Sequence, residues 1–225
     1  MIANFIEQIP KHLKDKSGSI FYSGANAFSG EKDLYILGLN PGGSPSEHVD
    51  ETVASSIAHI LENKAKDWSA YRDEPWEGAP PGTWRMQPRV LHLLTKLGLN
   101  PGEIPASNVI FVRSQRESYI RSEIHQLFQD CWPFHQKVIE ELKPKAILCF
   151  GKTAGKLIRQ KLNANKLIDE FIEENNRKWR TQAFINNEGI KIIVAAHPSV
   201  ADWRAQDTDP SKMIQRVLGT ERAET

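Results

Sequence analysis

Residues 38–43 (GLNPGG) place an asparagine where the backbone is unusually constrained. Pro41 fixes its own φ angle and biases Asn40 toward extended geometry. The glycines that follow let the chain turn tightly and leave space for a ligand. The amide of Asn40, which can both donate and accept hydrogen bonds, is therefore presented on a stiff platform. The simpler interpretation is a tight turn after a strand, since Asn, Pro and Gly are common turn residues.

A second motif, residues 197–199 (HPS), places a histidine between an apolar run and a proline. A ring held in this way is well oriented to donate a hydrogen bond. The simpler interpretation is a histidine that is satisfied at the end of a strand. For each motif alone the simpler interpretation is favoured. Because the two motifs follow the first and the last apolar runs of the chain, together they indicate one shared site.

Four apolar runs rich in branched residues are expected to form the strands that position these motifs. They are residues 34–39, 108–112, 146–150 and 190–196. Three of them are largely unbroken, which is typical of strands covered on both faces of a mainly parallel sheet. Ligands bind beyond the carboxyl ends of such strands. That rule selects the loops beginning at Asn40, Arg113, Gly151 and His197.

Helical patterns lie between the apolar runs, so a layered α/β fold with crossover connections is expected. The predicted helices are residues 51–63, 89–97, 134–142 and 153–162. We predict a single domain over residues 1–225 with a long insert at about 44–83, and such a loop is usually functional or poorly ordered. The polar tail from Ala205 onward is expected to fray.

The composition excludes several classes of protein. The 225 residues are 40% apolar and 25% charged with a net charge of +1, so a polyanion would have to bind a local patch. The two cysteines, Cys131 and Cys149, are too few for a four-thiolate cluster and form no disulfide framework. No signal peptide or membrane-spanning segment is recognisable. We expect a cytoplasmic (nucleoid-associated) or otherwise intracellular protein with no metal and no cofactor.

The motifs and the segments between them resemble the uracil-DNA glycosylase superfamily. Residues 38–42 (GLNPG) and 197–199 (HPS) resemble its two active-site motifs. Residues 108–113 (NVIFVR) resemble the family strand that opens with a base-reading asparagine, and residues 143–154 resemble a later strand and turn. Order and spacing agree over roughly residues 34–204, apart from the insert. Asparagine in the first motif with histidine in the second is closest to the single-strand-selective monofunctional and mismatch-specific branches.

This resemblance implies a three-layer α/β sandwich around a mainly parallel four-stranded sheet. It also implies an enzyme of base excision repair that hydrolyses the N-glycosidic bond of uracil or a related damaged pyrimidine in DNA. The base must leave the duplex stack to be reached. His197 would donate a hydrogen bond to the base oxygen where negative charge develops. Asn40 would position the attacking water, because an amide does not take a proton as a carboxylate does.

The resemblance also assigns the residues around the substrate. Asn108 would read the base through one donor and one acceptor. Further substrate-binding positions are Gly38, Leu39, Pro41, Gly42 and Ser199. Gly42 stands where some branches carry a bulky aromatic residue, so we expect room for a substituent at position 5 of the base. The aromatic residue that stacks on the base is expected to be Trp76 or Trp84, although either residue would also serve as a core or loop anchor.

DNA contacts are expected to be local. The candidate residues are Arg113, Lys152, Thr153 and Arg204, of which Lys152 and Thr153 begin a predicted helix. The sequence Arg-Lys-Trp-Arg at residues 177–180 also places an aromatic residue among basic ones. Family members usually follow the second motif with a residue that wedges into the vacated stack. Ala201 is a poor wedge, so Trp203 or Arg204 would have to replace it, or duplex DNA is handled badly.

Three other interpretations stay open. A catalytically silent member of the same fold would bind nucleic acid or a base without cutting, which the insert and the altered wedge favour. A nucleotide-binding enzyme is suggested by residues 151–156 (GKTAGK), which lack the phosphate-loop spacing. A hydrolase that uses Ser199 lacks the nucleophile-elbow pattern. We expect a monomer that binds DNA and no membrane.

Overall fold

The computed structural model describes residues 2–62 and 66–220. One six-stranded sheet with the order β2-β1-β3-β6-β5-β4 forms its centre. The strands are β1 (Leu34–Gly38), β2 (Ala106–Asn108), β3 (Ala146–Phe150), β4 (Lys166–Ile172), β5 (Arg180–Ile185) and β6 (Lys191–Ala195). Strands β2, β1, β3 and β6 run parallel, whereas β5 and β4 are antiparallel additions at one edge.

The predicted mainly parallel sheet is confirmed, and the structure adds two strands to the four that were expected. The predicted strand boundaries of β1, β3 and β6 agree with the structure to within a residue. The missed strand β4 exposes or half-exposes every one of its side chains, and β5 begins with three polar residues before its three apolar ones. Neither strand is buried on both faces, so neither has an unbroken apolar run.

Helices cover both faces of the sheet, as expected for a three-layer sandwich. They are α1 (Ile2–Ile6), α2 (Val53–Glu62), α3 (Ala70–Asp73), α4 (Gln87–Leu97), α5 (Glu117–Ile120), α6 (Ile124–Leu142), α7 (Lys152–Lys161) and α8 (Ser211–Leu218), with 3₁₀ turns at Lys11–Leu13, Ala25–Phe28, Pro101–Glu103 and Gln206–Thr208. The strands divide their side chains by alternation. Tyr35 and Leu37 pack toward α1, α6 and α7, whereas Leu34 and Ile36 pack toward α4 and α8.

The second strand lies earlier than predicted and ends at Asn108 instead of beginning there. The apolar residues that follow remain buried, but they leave the ladder to meet an N-terminal segment. Gly18 pairs with Val112 in an isolated antiparallel bridge, and the backbone N–H of Ser19 donates to the carbonyl of Phe111 at 3.0 Å. Asn108 is thereby placed at the carboxyl end of β2, in register with Gly38 of β1.

Two helical predictions are corrected by packing between distant segments. The helix predicted at residues 134–142 begins ten residues earlier, at Ile124, and runs through Pro133. Its added turns bury Phe128 and Trp132 in the core, which offsets the backbone hydrogen bond that proline removes. The tail predicted to fray from Ala205 forms α8 instead, because Met213 and its apolar neighbours are buried against the sheet layer.

The insert at residues 44–83 carries α2 and α3, and Gln87 fastens its second half to α4. The predicted helix at residues 51–63 is observed over Val53–Glu62, and Asn63 lies outside the described residues. The buried amide of Gln87 donates to the carbonyls of Ala70 at 2.9 Å and Glu74 at 2.8 Å. Its oxygen accepts from the backbone N–H of Trp84 at 3.1 Å. The insert therefore packs as a structured layer beside the first strand.

Candidate active site

The polar motifs of the sequence meet at the carboxyl edge of the parallel strands. Asn40 follows β1 and His197 follows β6, and these two strands flank β3. Adjacent strands lie about 4.8 Å apart, so the two motifs begin about 10 Å from each other. Gly151 lies between them at the end of β3 with a φ angle of 90°, and a Cβ there would stand 3.8 Å from Cδ2 of His197.

The side-chain amide of Asn40 has a single orientation set by its acceptors. Its Nδ2 donates to the carbonyl of Pro41 and to Oγ of Ser114, each at 2.9 Å, with the carbonyl of Val112 at 3.4 Å. The Ser114 hydroxyl in turn donates to the carbonyl of Arg116 at 3.1 Å. Within the described residues no donor is bonded to Oδ1 of Asn40. The amide nitrogen is thus committed to the protein and the amide oxygen is left as a free acceptor.

The ring of His197 is held through one nitrogen only. Nδ1 accepts the backbone N–H of Ser199 at 3.1 Å, so the proton of the neutral ring lies on Nε2. Burial lowers the pKa of His197 below its ordinary value, which keeps the ring neutral at pH 7. Phe150 contacts the ring edge-on with a centroid distance of 6.0 Å. Arg89 donates to the carbonyl of Pro198 and so holds the loop that carries the histidine.

Asn108 is buried against the first motif. A Cβ on Gly38 would lie 2.3 Å from Oδ1 of Asn108, so only glycine at position 38 admits this side chain. Tyr22 lies beside the amide of Asn108 and stacks on Tyr71 of the insert, with 6.1 Å between ring centroids. Burial raises the pKa of Tyr22, and the nearby amide of Asn108 partly opposes that rise. The amide is therefore clamped between the first strand and a tyrosine.

Arg113 holds the turn that follows Asn40. Its guanidinium donates to the carbonyl of Gly42, to the carboxylate of Glu51 and to Oγ of Ser17, the last at 3.2 Å. The side chain is largely buried, and an ion pair with Glu51 accompanies these bonds. Arg113 therefore shapes the turn, and its predicted DNA contact stays a prediction. A Cβ on Gly42 would meet no atom within 4 Å, so this side of the turn is open.

A comparison with protein families agrees with this geometry. The model of the uracil DNA glycosylase superfamily matches residues 26–218, most of the chain. The chain belongs to the uracil-DNA glycosylase superfamily. Its membership gives it a DNA glycosylase-like function in the general sense, with DNA as the class of substrate and DNA repair as the setting. No protein among those with curated descriptions matches the sequence. Within the described residues, no helix has the length and apolar character needed to cross a bilayer.

Three of the four predicted DNA-contact residues, Arg113, Thr153 and Arg204, contact acidic partners. Lys152 and Thr153 begin α7, as expected, but the Thr153 hydroxyl donates to the carboxylate of Glu117 at 3.0 Å. Arg204 forms two hydrogen bonds with Asp202, at 2.8 and 2.9 Å. These bonds lower the pKa of Asp202 to about 2, so the carboxylate is fully ionised beside the arginine. Contacts of these residues with DNA stay predictions.

The structure decides which aromatic residues are available at the glycosylase site. Trp203 is only 1% exposed and packs edge-on against Phe150 at 5.5 Å, so it is no wedge. Ala201 is fully buried, whereas Val200, directly after the second motif, is 54% exposed. Trp76 packs edge-on against Tyr71 and donates its indole N–H to Glu74 at 3.1 Å. Its predicted stacking on a base stays a prediction.

Sequence reasoning missed three residues that hold the predicted ones in place. Ser114 accepts a hydrogen bond from the amide of Asn40, Tyr22 lies beside Asn108, and Arg89 holds the loop of the second motif. Each is a common residue type with no distinctive neighbours in the sequence. Their roles depend on contacts across 74, 86 and 109 positions of the chain, taken from residues 40–114, 22–108 and 89–198. Of the predicted positions, Leu39 packs into the core and Ser199 is exposed.

Proposed function

We propose that this chain hydrolyses the N-glycosidic bond of uracil or a related damaged pyrimidine in DNA. One observation carries the proposal: the two motif side chains leave opposite hydrogen-bonding groups free. Asn40 has its donor engaged and its acceptor Oδ1 available, whereas His197 has its acceptor engaged and its donor Nε2–H available. Hydrolysis of a glycosidic bond needs an acceptor for water and a donor for the departing base.

Asn40 positions the water. Its free oxygen accepts a hydrogen bond from a water on the side of the sugar opposite the base, and the bonds of Nδ2 to Pro41 and Ser114 fix that direction. The amide binds the water without removing its proton, so the contribution is one of placement. The bond from the sugar to the base nitrogen breaks, its electron pair remains on the base, and the water oxygen bonds to the anomeric carbon. The proton that the water then loses passes to solvent, and the anionic base takes up one proton in exchange.

His197 stabilises the departing base. As the bond breaks, negative charge develops on an oxygen of the pyrimidine, and Nε2–H donates to that oxygen. Burial lowers the pKa of the imidazole and disfavours its charged form. The ring is therefore neutral and donates through Nε2–H. The edge-on contact with Phe150 and the bond from Ser199 keep the ring in place before the base arrives. Such a preformed donor avoids the cost of reorienting solvent.

Asn108 and Gly42 set the choice of base. The amide of Asn108 presents one donor and one acceptor, a pattern that complements uracil and mismatches cytosine. Tyr22 lies beside that amide. The open side of Gly42 leaves room for a group at position 5 of the ring, so 5-hydroxymethyluracil enters the same pocket.

The test is excision of a single uracil from single-stranded and duplex oligonucleotides, followed by alkaline cleavage of the abasic product. Asn40→Ala and His197→Ala are each expected to reduce the rate about 10²–10³-fold, the usual cost of one such group. Asn187→Ala and His12→Ala are matched controls, because both residues are exposed and distant from the carboxyl edge. Excision that survives both site substitutions would refute the roles assigned to Asn40 and His197.

A catalytically silent member of the family is the second candidate. The burial of Ala201 and Trp203 favours it, because neither side chain can serve as a wedge into a vacated stack. This candidate predicts binding to DNA that contains uracil without release of the base. A wild-type protein that binds such DNA and leaves every uracil in place would establish it.

A further inference from the structure

The turn between β4 and β5 lies at the same edge of the sheet as the candidate active site. Strand β5 pairs antiparallel with β6, with Gln182 opposite Val194, so β5 begins where β6 ends. We propose that this turn, residues 173–179, is a stacking surface for an unpaired nucleotide of the strand that carries the target base. The inference rests on the function proposed above and extends it to the flanking strand.

The turn is rigid because a buried carboxylate holds it. Glu173 is 3% exposed. Its Oε2 forms an ion pair with Nη2 of Arg177 at 3.1 Å and accepts a hydrogen bond from Nδ2 of Asn175 at 3.1 Å. The backbone N–H of Glu173 donates to the carbonyl of Trp179 at 2.8 Å, which closes the turn. A surface that is already ordered loses little conformational entropy when a ligand binds.

Two hydrogen bonds join the turn to the loop that carries His197. Nη1 of Arg177 donates to the carbonyl of Val200 at 2.9 Å, three residues after the histidine. The backbone N–H of Glu174 donates to the carbonyl of Asp207 at 2.9 Å in the same C-terminal loop. A nucleotide whose base lies against His197 therefore has its neighbour in reach of this turn.

Trp179 supplies the stacking group. Its side chain is 37% exposed, although it is among the largest apolar side chains of the protein, and the guanidinium of Arg177 lies 4.3 Å from the ring centroid. Val200 extends the exposed apolar surface toward the second motif. Indole rings stack on every nucleobase with little sequence preference, and an adjacent arginine adds to the interaction.

The charge of the turn suits contact with a base and not with phosphates. Residues 173–179 contain two acidic and two basic side chains, so the turn has no net positive charge. Binding of duplex DNA depends mainly on neutralising phosphates, which this turn cannot do on balance. Stacking instead needs a base that is free of its complement. The occupant is therefore an unpaired nucleotide beside the target.

The experiment compares Trp179→Ala and Trp179→Phe with wild type, using a labelled 20-nucleotide single strand without uracil and its duplex. Trp179→Ala is expected to weaken binding of the single strand about tenfold, within the range for one lost base–aromatic stack. Trp179→Phe should retain most of the affinity. The fold loss should be the same at low and high salt, since no phosphate contact is removed. Leu167→Ala and Lys166→Ala, at the far end of the same hairpin, are the controls.

Excision assays separate this inference from the proposed function. The ratio of kcat/KM for uracil between two intact nucleotides to that for uracil between two abasic sites, both in a 20-nucleotide single strand, should fall about tenfold in Trp179→Ala. If wild type excises uracil but Trp179→Ala binds the single strand as wild type does, the stacking surface is wrong and the glycosylase function stands. An equal loss of binding to duplex and single strand would also overturn the inference. If wild type neither binds nor cuts, both proposals fail.

Discussion

Replacement of Asn40 by aspartate tests the orientation of its amide most directly. The two side chains have the same shape, but the substitution converts the donor Nδ2 into a second oxygen. That oxygen would face the carbonyl of Pro41 and the hydroxyl of Ser114, both now 2.9 Å from Nδ2. Ser114 can rotate its proton toward the carboxylate, whereas the carbonyl of Pro41 has no proton to offer.

The magnitude follows from those two contacts. One lost hydrogen bond costs about 1 kcal/mol, and an acceptor left without a partner in a part-buried site costs about 1–3 kcal/mol. We expect Asn40→Asp to lower the free energy of unfolding by about 1–3 kcal/mol at pH 7.5. As the pH falls from 7.5 to 4 the deficit should shrink, because the new carboxyl group takes up a proton and donates to Pro41.

The sign of the pH dependence follows from the pKa of the new group. Proximity of a carbonyl oxygen raises the pKa of the carboxyl in the folded state above its unfolded value of about 3.9. The stability of the variant relative to wild type is therefore greatest below the unfolded pKa and is lost as pH rises through the folded pKa. Asn40→Ala should cost a similar amount without this dependence.

Urea unfolding of the three proteins at pH 4 and pH 7.5 measures the effect, and excision of uracil at pH 7.5 accompanies it. A carboxylate is a better base than an amide, yet we expect no faster excision, since the carboxyl is held in an unfavourable site. An aspartate variant as stable as wild type at pH 7.5 that also cuts faster would show that the amide is oriented the other way.

Three further results are expected. Burial lowers the pKa of His135 to about 4, so the protein takes up a proton when it unfolds between about pH 4 and pH 6.5. The free energy of unfolding should therefore fall by about 3 kcal/mol as the pH drops from about 6.5 to about 4. In urea unfolding, the His135→Gln variant should lose most of this pH dependence. Tyr22→Phe removes the hydroxyl beside the amide of Asn108 and should raise KM for uracil strands about two- to tenfold in steady-state assays. An unchanged KM would show that this hydroxyl does not help Asn108 to bind the base. Gly42→Phe should reduce excision of 5-hydroxymethyluracil relative to uracil about tenfold or more, and a constant ratio of the two rates would place the 5-substituent elsewhere.

The parallel core could be read from the sequence because its pattern is local. Strands β1 and β3 are buried on both faces and β6 is mostly buried, so each appears as a largely unbroken apolar run whose ends are visible in the sequence. The polar motifs that follow β1 and β6 could be placed at the carboxyl edge by the topology of parallel sheets alone. The sequence therefore determined the layered fold and the location of the candidate site.

Elements that depend on distant partners could not be read in this way. Strand β5 has only part of its side chains buried, and it becomes a strand because β6 supplies its hydrogen bonds. Helix α8 lies in a polar tail, and its stability comes from packing its one apolar side into a core formed by earlier segments. Short amphipathic segments are marginal by themselves, so their structure follows from tertiary packing.

The orientation of the functional groups was decided by the tertiary structure alone. The sequence places Asn40 on a stiff turn, but Ser114, 74 positions later, determines which end of the amide is free. Likewise, Trp179 lies near the loop of His197 only because the antiparallel strand β5 begins at the carboxyl edge, where Arg177 bonds that loop. Hydrogen-bond direction depends on atoms brought together by folding, and no local pattern of residues encodes it.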